Sequence, residues 1–311
     1  MSTPLVILGP TASGKSDVAM ALASALTGVE IVAVDAMQVY RGMDIGTAKP
    51  TRRDQAAVAH HCIDLVDPDH DFAVAEHVQA ATVALADIER RGCRPVLVAG
   101  TGLYLRALTD PMELPGTWPE VRARLEARAA ALPVEHLYSE LVAVDPDAAG
   151  KVEPGNLRRI VRALEVCEGS GRRFSSFGPG LDSYAPTRFV QVGLRWTRAA
   201  LAERIEKRVQ AMIAAGLCAE VVAVLERWPE MSRTARQALG YKELIAHLDG
   251  VVSFDEAVEQ IIVRTRQYAV RQDRWYRRDP RIQWIDIHTD PVAEAVPVIS
   301  GLAVVSRASD S

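Results

Sequence analysis

Residues 9–16 read Gly9-Pro10-Thr11-Ala12-Ser13-Gly14-Lys15-Ser16, which matches the phosphate-binding pattern G-x-x-x-x-G-K-[ST] at every fixed position. An apolar stretch precedes this segment and a helical pattern follows it, as the motif requires. The two glycines let the backbone curl so that successive N–H groups point at phosphate oxygens. Lys15 adds a cation for the terminal phosphates, the Ser16 hydroxyl can hold Mg²⁺, and the helix that begins there turns its positive end toward the anion. We therefore expect residues 9–16 to bind a diphosphate or triphosphate, with Mg²⁺ as cofactor.

Short apolar runs elsewhere in the chain indicate a parallel sheet around this loop. Buried parallel strands appear as continuous apolar stretches rather than alternating ones. Such stretches lie at 5–8, 30–34, 95–99 and 189–194, and a further short strand is predicted to join the sheet at 282–287. Helical patterns, notably 16–26 and 73–91, separate the first strands. Strand and helix in alternation predict an α/β fold whose core is a P-loop-type, doubly wound parallel sheet.

The pattern changes between about residues 116 and 186, where strand signals are absent. Three helices with Leu, Ala and Val on one face are predicted there, at 119–132, 134–144 and 156–168. Glycine-rich loops at 170–173 and 177–180 close the segment. We therefore divide the chain into an α/β core, residues 1–115 and 187–311, and a helical insertion domain, residues 116–186.

The second part of the core is predicted to be mainly helical. The helices are expected at 199–215, 219–228, 235–248 and 254–278. The tail after His288 is apolar and weakly patterned, and we assign it no function.

Composition narrows the classes of protein. The 311 residues carry a net charge of −4 and are 49% hydrophobic, the balance of an ordinary soluble globular protein. A nucleic-acid-binding surface would then be local. The four cysteines form no C-x-x-C pair, which argues against a zinc site or a disulfide framework and is typical of small core residues in a reducing compartment. Without a signal-peptide pattern or an apolar run of about 20 residues, we expect a cytoplasmic protein that has no membrane partner.

The motif at 9–16 does not by itself define the reaction. A nucleoside triphosphatase usually adds an acidic residue at the end of a hydrophobic strand to anchor Mg²⁺. Here the stretch 95–99 ends in Gly100-Thr101-Gly102, and no Asn-Lys-x-Asp segment for guanine occurs. The loop could therefore hold a pyrophosphate leaving group instead of a nucleotide whose γ-phosphate is transferred.

Polar residues follow two of the predicted strands. Asp35 ends the second strand, at the edge where ligands of doubly wound sheets bind. Its carboxylate suits a general base or a Mg²⁺ ligand, with a helix N-cap as the structural alternative. Gln38 has donor and acceptor groups for the edge of a base. Thr101 offers a hydroxyl to a phosphate oxygen, or forms a plain strand-to-helix turn.

Six motifs in order give the sequence a specific resemblance. They read Gly-Pro-Thr-Ala-Ser-Gly-Lys-Ser at 9–16, Asp-Ala-Met-Gln-Val-Tyr-Arg-Gly-Met-Asp-Ile-Gly-Thr-Ala-Lys-Pro at 35–50, His-His-Cys-Ile-Asp at 60–64, Gly-Thr-Gly-Leu-Tyr-Leu at 100–105, Gly-Tyr-Lys-Glu at 240–243 and Thr-Arg-Gln-Tyr-Ala at 265–269. Over roughly residues 5–278 the chain thus resembles the tRNA dimethylallyltransferase family, also called tRNA isopentenyltransferases. The resemblance implies transfer of a dimethylallyl group from dimethylallyl diphosphate to the exocyclic N6 amine of adenosine-37, in the tRNA anticodon stem-loop. Diphosphate is then released, and we expect a monomer.

The same resemblance implies the role of each site residue. Asp35 removes the proton of the attacking amine, Lys15 and Thr101 assist at the diphosphate, and Gln38 reads an adenine that has left its stack. The residues implied to contact tRNA are Asp35, Ala36, Met37, Gln38, Thr101, Arg122, Arg158, Arg159, Arg162, Gln237, Lys242, Arg271 and Arg274. Two positions depart from the family: Ala36 replaces the usual Ser, and Gln237 stands where many members have Arg, with Arg236 beside it.

Arginines are concentrated where RNA is expected. Residues 264–281 contain seven arginines against two aspartates, a local balance of +5, with Tyr and Trp interleaved. A second group, Arg158, Arg159 and Arg162, lies on a predicted helix of the insertion. Such mixtures are expected where phosphates are neutralised and bases are stacked, and solvated helix faces are the alternative. His60 and His61 lack further metal ligands, so we interpret them as structural.

Three other functions compete with the prenyltransferase. A phosphotransferase such as a kinase would share the loop and the sheet, but this chain lacks the carboxylate that such an enzyme usually carries at the end of a strand. A prenyltransferase that acts on free adenine nucleotide would not need the two groups of arginines that are expected to bind RNA. A non-catalytic RNA-binding protein does not need Lys15, Ser16, Asp35 and Thr101 together.

Overall fold

The computed structural model describes residues 3–178, 180–181 and 183–308, with side chains as far as residue 302. Within this part the chain forms a six-stranded parallel sheet in the order β3-β2-β4-β1-β5-β6. The strands are β1 (Leu5–Leu8), β2 (Val29–Val34), β3 (His60–His61), β4 (Arg94–Ala99), β5 (Val190–Arg195) and β6 (Gln283–Asp286). All five predicted strands are present to within a residue at each end. β3 has only two residues and gives no apolar run for the sequence to reveal.

Both faces of the sheet are covered, which explains the continuous apolar strands. In β1, Val6 and Leu8 belong to one core cluster, whereas Ile7 between them belongs to another. The first face is covered by α3 (Val74–Arg90), α4 (Gly102–Thr109), α9 (Arg198–Ala214), α10 (Leu217–Arg227), α11 (Arg233–Arg236), α12 (Tyr241–Leu248) and α13 (Phe254–Tyr276). The second face is covered by α1 (Lys15–Ala25) and α14 (Pro291–Ala308). The predicted doubly wound α/β core is confirmed.

The chain divides into two compact units, residues 1–109 with 186–311 and residues 110–185. The second unit is helical and has its own core, in which Leu125, Leu137, Leu141 and Ile160 are fully buried. It consists of α5 (Pro119–Ala131), α6 (Val134–Val144), α7 (Pro146–Ala149), α8 (Leu157–Ser170) and a 3-10 helix, Phe174–Ser176. The three long helices of this unit are those that the apolar periodicity predicts. Pro179 of the predicted loop 177–180 lies outside the described residues.

One expectation about a helix is wrong. The single helix predicted at 235–248 is broken into α11 and α12, because Gly240 adopts φ +91°, which no right-handed helix contains. The tail after His288, whose sequence is weakly patterned, forms α14 as far as residue 308, and its Ala295 and Ile299 are buried against the second face. Its apolar residues lie on all sides and Pro297 interrupts them, so the periodicity is obscured. A short helix, α2 (Arg52–Ala57), was also not indicated; it buries no side chain.

In the described part, no single helix has the length and apolar character of a membrane span. The helices α9 and α10 have the required length and apolar character only when they are counted together, and a bend of 60° separates them.

Candidate active site

The loop after β1 has the backbone that its sequence predicts. Gly9 and Gly14 adopt φ +152° and +91°, and a Cβ on Gly9 would lie 2.9 Å from Ser13 Oγ. Lys15 Nζ donates to Pro10 O at 2.8 Å, which folds the side chain over the loop. Ser13 Oγ is buried without a hydrogen-bond partner among the described residues. A curled backbone and a buried unpaired hydroxyl are both suited to anion binding.

A cavity of about 730 Å³ opens beside this loop. Its wall combines residues 12–17 with apolar side chains such as Met20 and Ile31, and with Gln38, Lys49 and three cations of α9: Arg204, Lys207 and Arg208. A pocket lined by both cationic and apolar side chains fits a ligand that joins a phosphate group to a hydrocarbon.

The α9 cations were not identified from the sequence. Arg204 Nε donates to Ala12 O at 2.8 Å and its guanidinium lies 4.4 Å from the centre of the Trp196 ring, whose Nε1 donates to Ser13 O. Arg208 makes neither a hydrogen bond nor an ion pair within the described residues. The spacing of these cations, at positions 204, 207 and 208 of one helix, was the available signal, because residues three and four apart share a helix face.

Burial sets the electrostatics of the cavity. It lowers the pKa of Lys15 to about 7, and the charge of Arg208 acts in the same direction, while Asp35 opposes both. Burial also lowers the pKa of the Arg208 guanidinium, again opposed by Asp35. Lys15, Arg208 and Asp35, from three parts of the chain, therefore interact electrostatically here.

Asp35 follows β2 directly, and its carboxylate is held by backbone groups. Oδ1 accepts from Met37 N at 2.8 Å and from Gln38 N at 3.3 Å. Thr101 Oγ1 accepts from Ala36 N at 3.2 Å, so the second residue after β4 holds the residue that follows Asp35. This is N-cap geometry without a helix, because the next helix begins only at Arg52. The cap thus fixes the carboxylate rather than starting a helix.

Gln38 is oriented by a neighbouring loop. Its Nε2 donates to Thr47 O at 3.2 Å and to Ala48 O at 3.1 Å, which uses both amide hydrogens and leaves Oε1 as the group without a bond among the described residues. The loop is held in turn by Glu220 of α10, whose carboxylate accepts from the backbone N–H groups of residues 44, 45 and 46 and from the Tyr241 hydroxyl. Gln38 is therefore presented as an acceptor, the group that pairs with an exocyclic amine.

The arginines near the end of α13 are less available than their number suggests. Arg264 pairs with Glu243, Arg266 with Glu206, Arg277 with Asp273 and Arg281 with Asp279. Arg278 also has an interaction partner. The two arginines that we expect to contact tRNA differ: Arg274 is exposed and has no ion pair in the described part, and Arg271 is exposed above the Tyr268 ring.

The arginines of the insertion divide in the same way. Arg122 and Arg162 both bind Glu165, a fully buried carboxylate that also accepts from Trp118 N. Arg158 and Arg159 are exposed in the first turn of α8 and make no hydrogen bond or ion pair through their side chains in the described residues. Cations at a helix N-terminus are unfavourable by about 0.3–1 kcal/mol, so a phosphate ligand would relieve a local cost.

The remaining predicted residues lie at the surface or in structural contacts. Gln237 and Lys242 are exposed, at the end of α11 and the start of α12, and Arg236 is half-buried beside Gln237. His61 Nε2 lies 2.7 Å from Glu30 Oε2 and His60 Nδ1 lies 2.8 Å from Val58 O, as expected of structural residues. No cluster of His, Cys, Asp or Glu with the geometry of a metal site occurs among the described residues.

The chain is similar to proteins of one family along nearly its whole length. It matches the model of the IPP transferase family over residues 38–279 and that of isopentenyl transferase over residues 3–63. A relative named tRNA dimethylallyltransferase, from Kineococcus radiotolerans, is 46% identical over 99% of both chains. Another of that name, from Pseudarthrobacter chlorophenolicus, is 47% identical over 96% of this chain and all of its own.

Solved structures agree with the sequence relatives. The tRNA isopentenylpyrophosphate transferase of Bacillus halodurans superposes with a TM-score of 0.70 at 35% identity, over 100% of both chains. A eukaryotic dimethylallyltransferase, described as acting on tRNA, gives a TM-score of 0.80 at 25% identity over 99% of this chain and 80% of its own.

Proposed function

The chain belongs to the IPP transferase family, and we propose that it transfers a dimethylallyl group from dimethylallyl diphosphate to the exocyclic N6 amine of adenosine-37 in tRNA. The observation that carries this proposal is a carboxylate, Asp35, held at the end of β2 within electrostatic reach of Lys15 and Arg208. A base and a binding site for a leaving diphosphate thus act on one reaction centre.

Each group has a defined part in the reaction. The bond between the allylic carbon and the diphosphate oxygen breaks, and its electron pair leaves with the diphosphate. The loop 9–16, Lys15 and Arg208 stabilise that charge. The lone pair of the adenine nitrogen forms the new N–C bond, and Asp35 accepts the proton that the nitrogen loses. Gln38 Oε1 accepts from the other hydrogen of the amine, which selects adenine over a base that presents a carbonyl.

The site suits a Mg²⁺ ion that would be held partly by the protein and partly by the substrate. The Ser16 hydroxyl is exposed at the cavity, and Mg²⁺ is commonly held by substrate phosphates and water with few protein groups. A protein cage of carboxylates is therefore not required. If bound there, Mg²⁺ would supply positive charge that stabilises the departing diphosphate.

The proposed RNA partner is the anticodon stem-loop. Arg158, Arg159, Arg271 and Arg274 combine exposure with the lack of a carboxylate partner in the described part, and adenosine-37 has to leave its stack to reach Asp35. Because a single chain supplies both the loop and Asp35, we also propose that the enzyme acts as a monomer, in the cytoplasm where tRNA is found.

Labelled dimethylallyl diphosphate tests the proposal directly. The protein is incubated with it, Mg²⁺ and unmodified tRNA, while ATP and AMP compete as alternative substrates. We expect label in tRNA. Phosphate transfer from ATP without label in tRNA would instead indicate a kinase, and label in AMP alone a prenyltransferase that acts on free nucleotide.

The Asp35→Asn variant tests the base. It keeps the acceptor for the Met37 and Gln38 N–H groups, so binding of pyrophosphate and tRNA should persist, while turnover falls by about 10²- to 10⁴-fold. Asp249→Asn, at an exposed turn, is the matched control and should keep full activity. Equal turnover of the two variants excludes Asp35 from the chemistry.

A further inference from the structure

Gln272 of α13 connects two loops that are distant in sequence. Its side-chain Oε1 accepts from Thr11 N at 2.8 Å, and its Nε2 donates to Gly100 O at 2.6 Å. The residue is only 7% exposed. A backbone N–H can only donate and a carbonyl can only accept, so these two partners fix the orientation of the amide.

The connection lies where the sheet stops holding the two loops together. The pairing of β1 with β4 ends at Leu8 and Ala99, and the phosphate loop and the segment 100–102 diverge from there. Gln272 bridges them immediately beyond the last pair, and the Tyr276 hydroxyl, one turn along α13, donates to Ala99 O at 3.2 Å. One helix thus fixes both strand ends.

Both bridged loops belong to the reaction centre. Thr11 is part of the diphosphate loop, and Gly100 precedes Thr101, which accepts from Ala36 N beside Asp35. A Cβ placed on Gly100 would lie 2.9 Å from Asp35 Oδ2 and 3.9 Å from Gln272 Nε2. Gln272 therefore contacts the site of the leaving group on one side and adjoins the base on the other.

We propose that Gln272 is a positioning residue that sets the distance between the diphosphate loop and Asp35, so that the leaving oxygen and the attacking nitrogen stay aligned across the allylic carbon. This inference rests on the proposed transfer reaction. Alignment of reacting groups within a fraction of an ångström governs the rate more than the affinity. The bridge also commits the Thr11 N–H to the protein, which leaves the later N–H groups of the loop for phosphate.

Two substitutions separate positioning from packing. Gln272→Glu keeps the acceptor for Thr11 N, loses the donor to Gly100 O and places a second anion next to Asp35. Gln272→Met keeps the volume and loses both hydrogen bonds. Gln79→Glu, on the exposed side of α3, adds the same charge elsewhere and serves as control.

The assay measures kcat, KM for both substrates and the pH–rate profile in labelled transfer, with pyrophosphate binding by calorimetry. For Gln272→Met we expect kcat to fall by about 10- to 100-fold, with each KM and the pyrophosphate Kd within threefold of wild type. For Gln272→Glu we expect a similar loss, together with a shift of the acid limb to higher pH, because a neighbouring anion favours the protonated form of Asp35. Gln79→Glu should match wild type in every parameter.

Different outcomes contradict different statements. Absence of transfer by the wild-type protein would contradict the proposed function. With an active wild type, a kcat for Gln272→Met within threefold of wild type overturns the positioning role. A uniform loss of pyrophosphate binding and melting temperature in both variants, with an unshifted acid limb, also overturns it and leaves Gln272 as a folding residue.

Discussion

Replacing Arg208 with Met should change stability and ligand binding in opposite directions. The guanidinium makes no hydrogen bond or ion pair within the described residues, and burial lowers its pKa, opposed by Asp35 and Asp17. The substitution keeps a flexible, unbranched stem and removes a desolvated charge that also disfavours the charged form of Lys15. We expect the ligand-free variant to unfold at the same or a higher temperature, with a gain of about 0.5–2 kcal/mol at most.

Affinity for diphosphate should fall at the same time. A hydrogen bond to a charged group contributes about 1.5–3 kcal/mol, and each 1.4 kcal/mol is tenfold in Kd, so the Kd should rise by about 10- to 100-fold. Calorimetric titration with pyrophosphate and Mg²⁺ measures this change, and thermal unfolding without ligand measures the stability.

Arg204 provides the contrast on the same helix. Its guanidinium is already used, since Nε donates to Ala12 O and the group lies over Trp196. Arg204→Met should therefore destabilise the ligand-free protein by about 1–2 kcal/mol. If Arg208→Met is destabilised to the same extent and binds pyrophosphate as wild type does, the assignment of Arg208 to the diphosphate is wrong.

Three further perturbations follow from the contacts described. Glu220→Ala removes four hydrogen bonds around the loop that orients Gln38. We expect kcat/KM for tRNA to fall by at least tenfold, about 1.4 kcal/mol, while the Kd of pyrophosphate stays constant. A loss of stability without a kinetic effect would contradict the role of Glu220 in orienting Gln38. The pKa of Glu30 is lowered to about 2, chiefly by Arg91, so its contribution to stability is present above about pH 4.3, the unfolded value, and is lost as the pH falls toward 2. As the pH falls from 5 to 3, the urea midpoint of unfolding should therefore decline less in Glu30→Gln than in wild type. Equal declines in the two proteins would argue against stabilisation by the Glu30–Arg91 pair. The double variant Arg158→Ala/Arg159→Ala should bind tRNA more weakly and reduce the slope of log K against log salt by about 1–2, without loss of thermal stability; an unchanged slope would remove these side chains from the RNA interface.

The phosphate loop and the sheet could be predicted because both depend on local sequence. Gly9 and Gly14 are needed at backbone angles that other residues rarely adopt, so the spacing of the motif specifies its conformation. Strands buried on two faces are apolar throughout, and this pattern located four of the six strands in the described part. Asp35 and Thr101 could be placed because each follows a strand, and the carboxyl ends of parallel strands meet at one edge.

The remaining site depends on contacts between distant residues, which composition does not record. The excess of arginine at 264–281 suggested a surface that neutralises RNA phosphates, with a solvated helix face as the alternative, yet Arg264 and Arg266 pair with Glu243 and Glu206, 21 and 60 residues away. Gln272 showed no signal at all, because a glutamine within a helix is ordinary until its two partners are known. The cations of α9 were visible as a spacing, but their approach to the loop depends on how the helix packs on the sheet.

The arginines of this chain fall into two groups that differ in energy as well as in geometry. Those that neutralise carboxylates, such as Arg122 at the buried Glu165, stabilise the fold, and their removal would leave a buried charge unpaired. Those without such partners, Arg208 in the cavity and Arg158 and Arg159 at a helix N-terminus, make no side-chain hydrogen bond or ion pair within the described residues. They bear costs of desolvation or of an opposing dipole, which Asp35 and Asp17 offset only in part for Arg208. A phosphate group that neutralises such an arginine when the ligand binds would explain why a destabilising positive charge is present. We therefore base the proposed diphosphate and RNA sites on the unpaired arginines rather than on the density of arginine along the sequence.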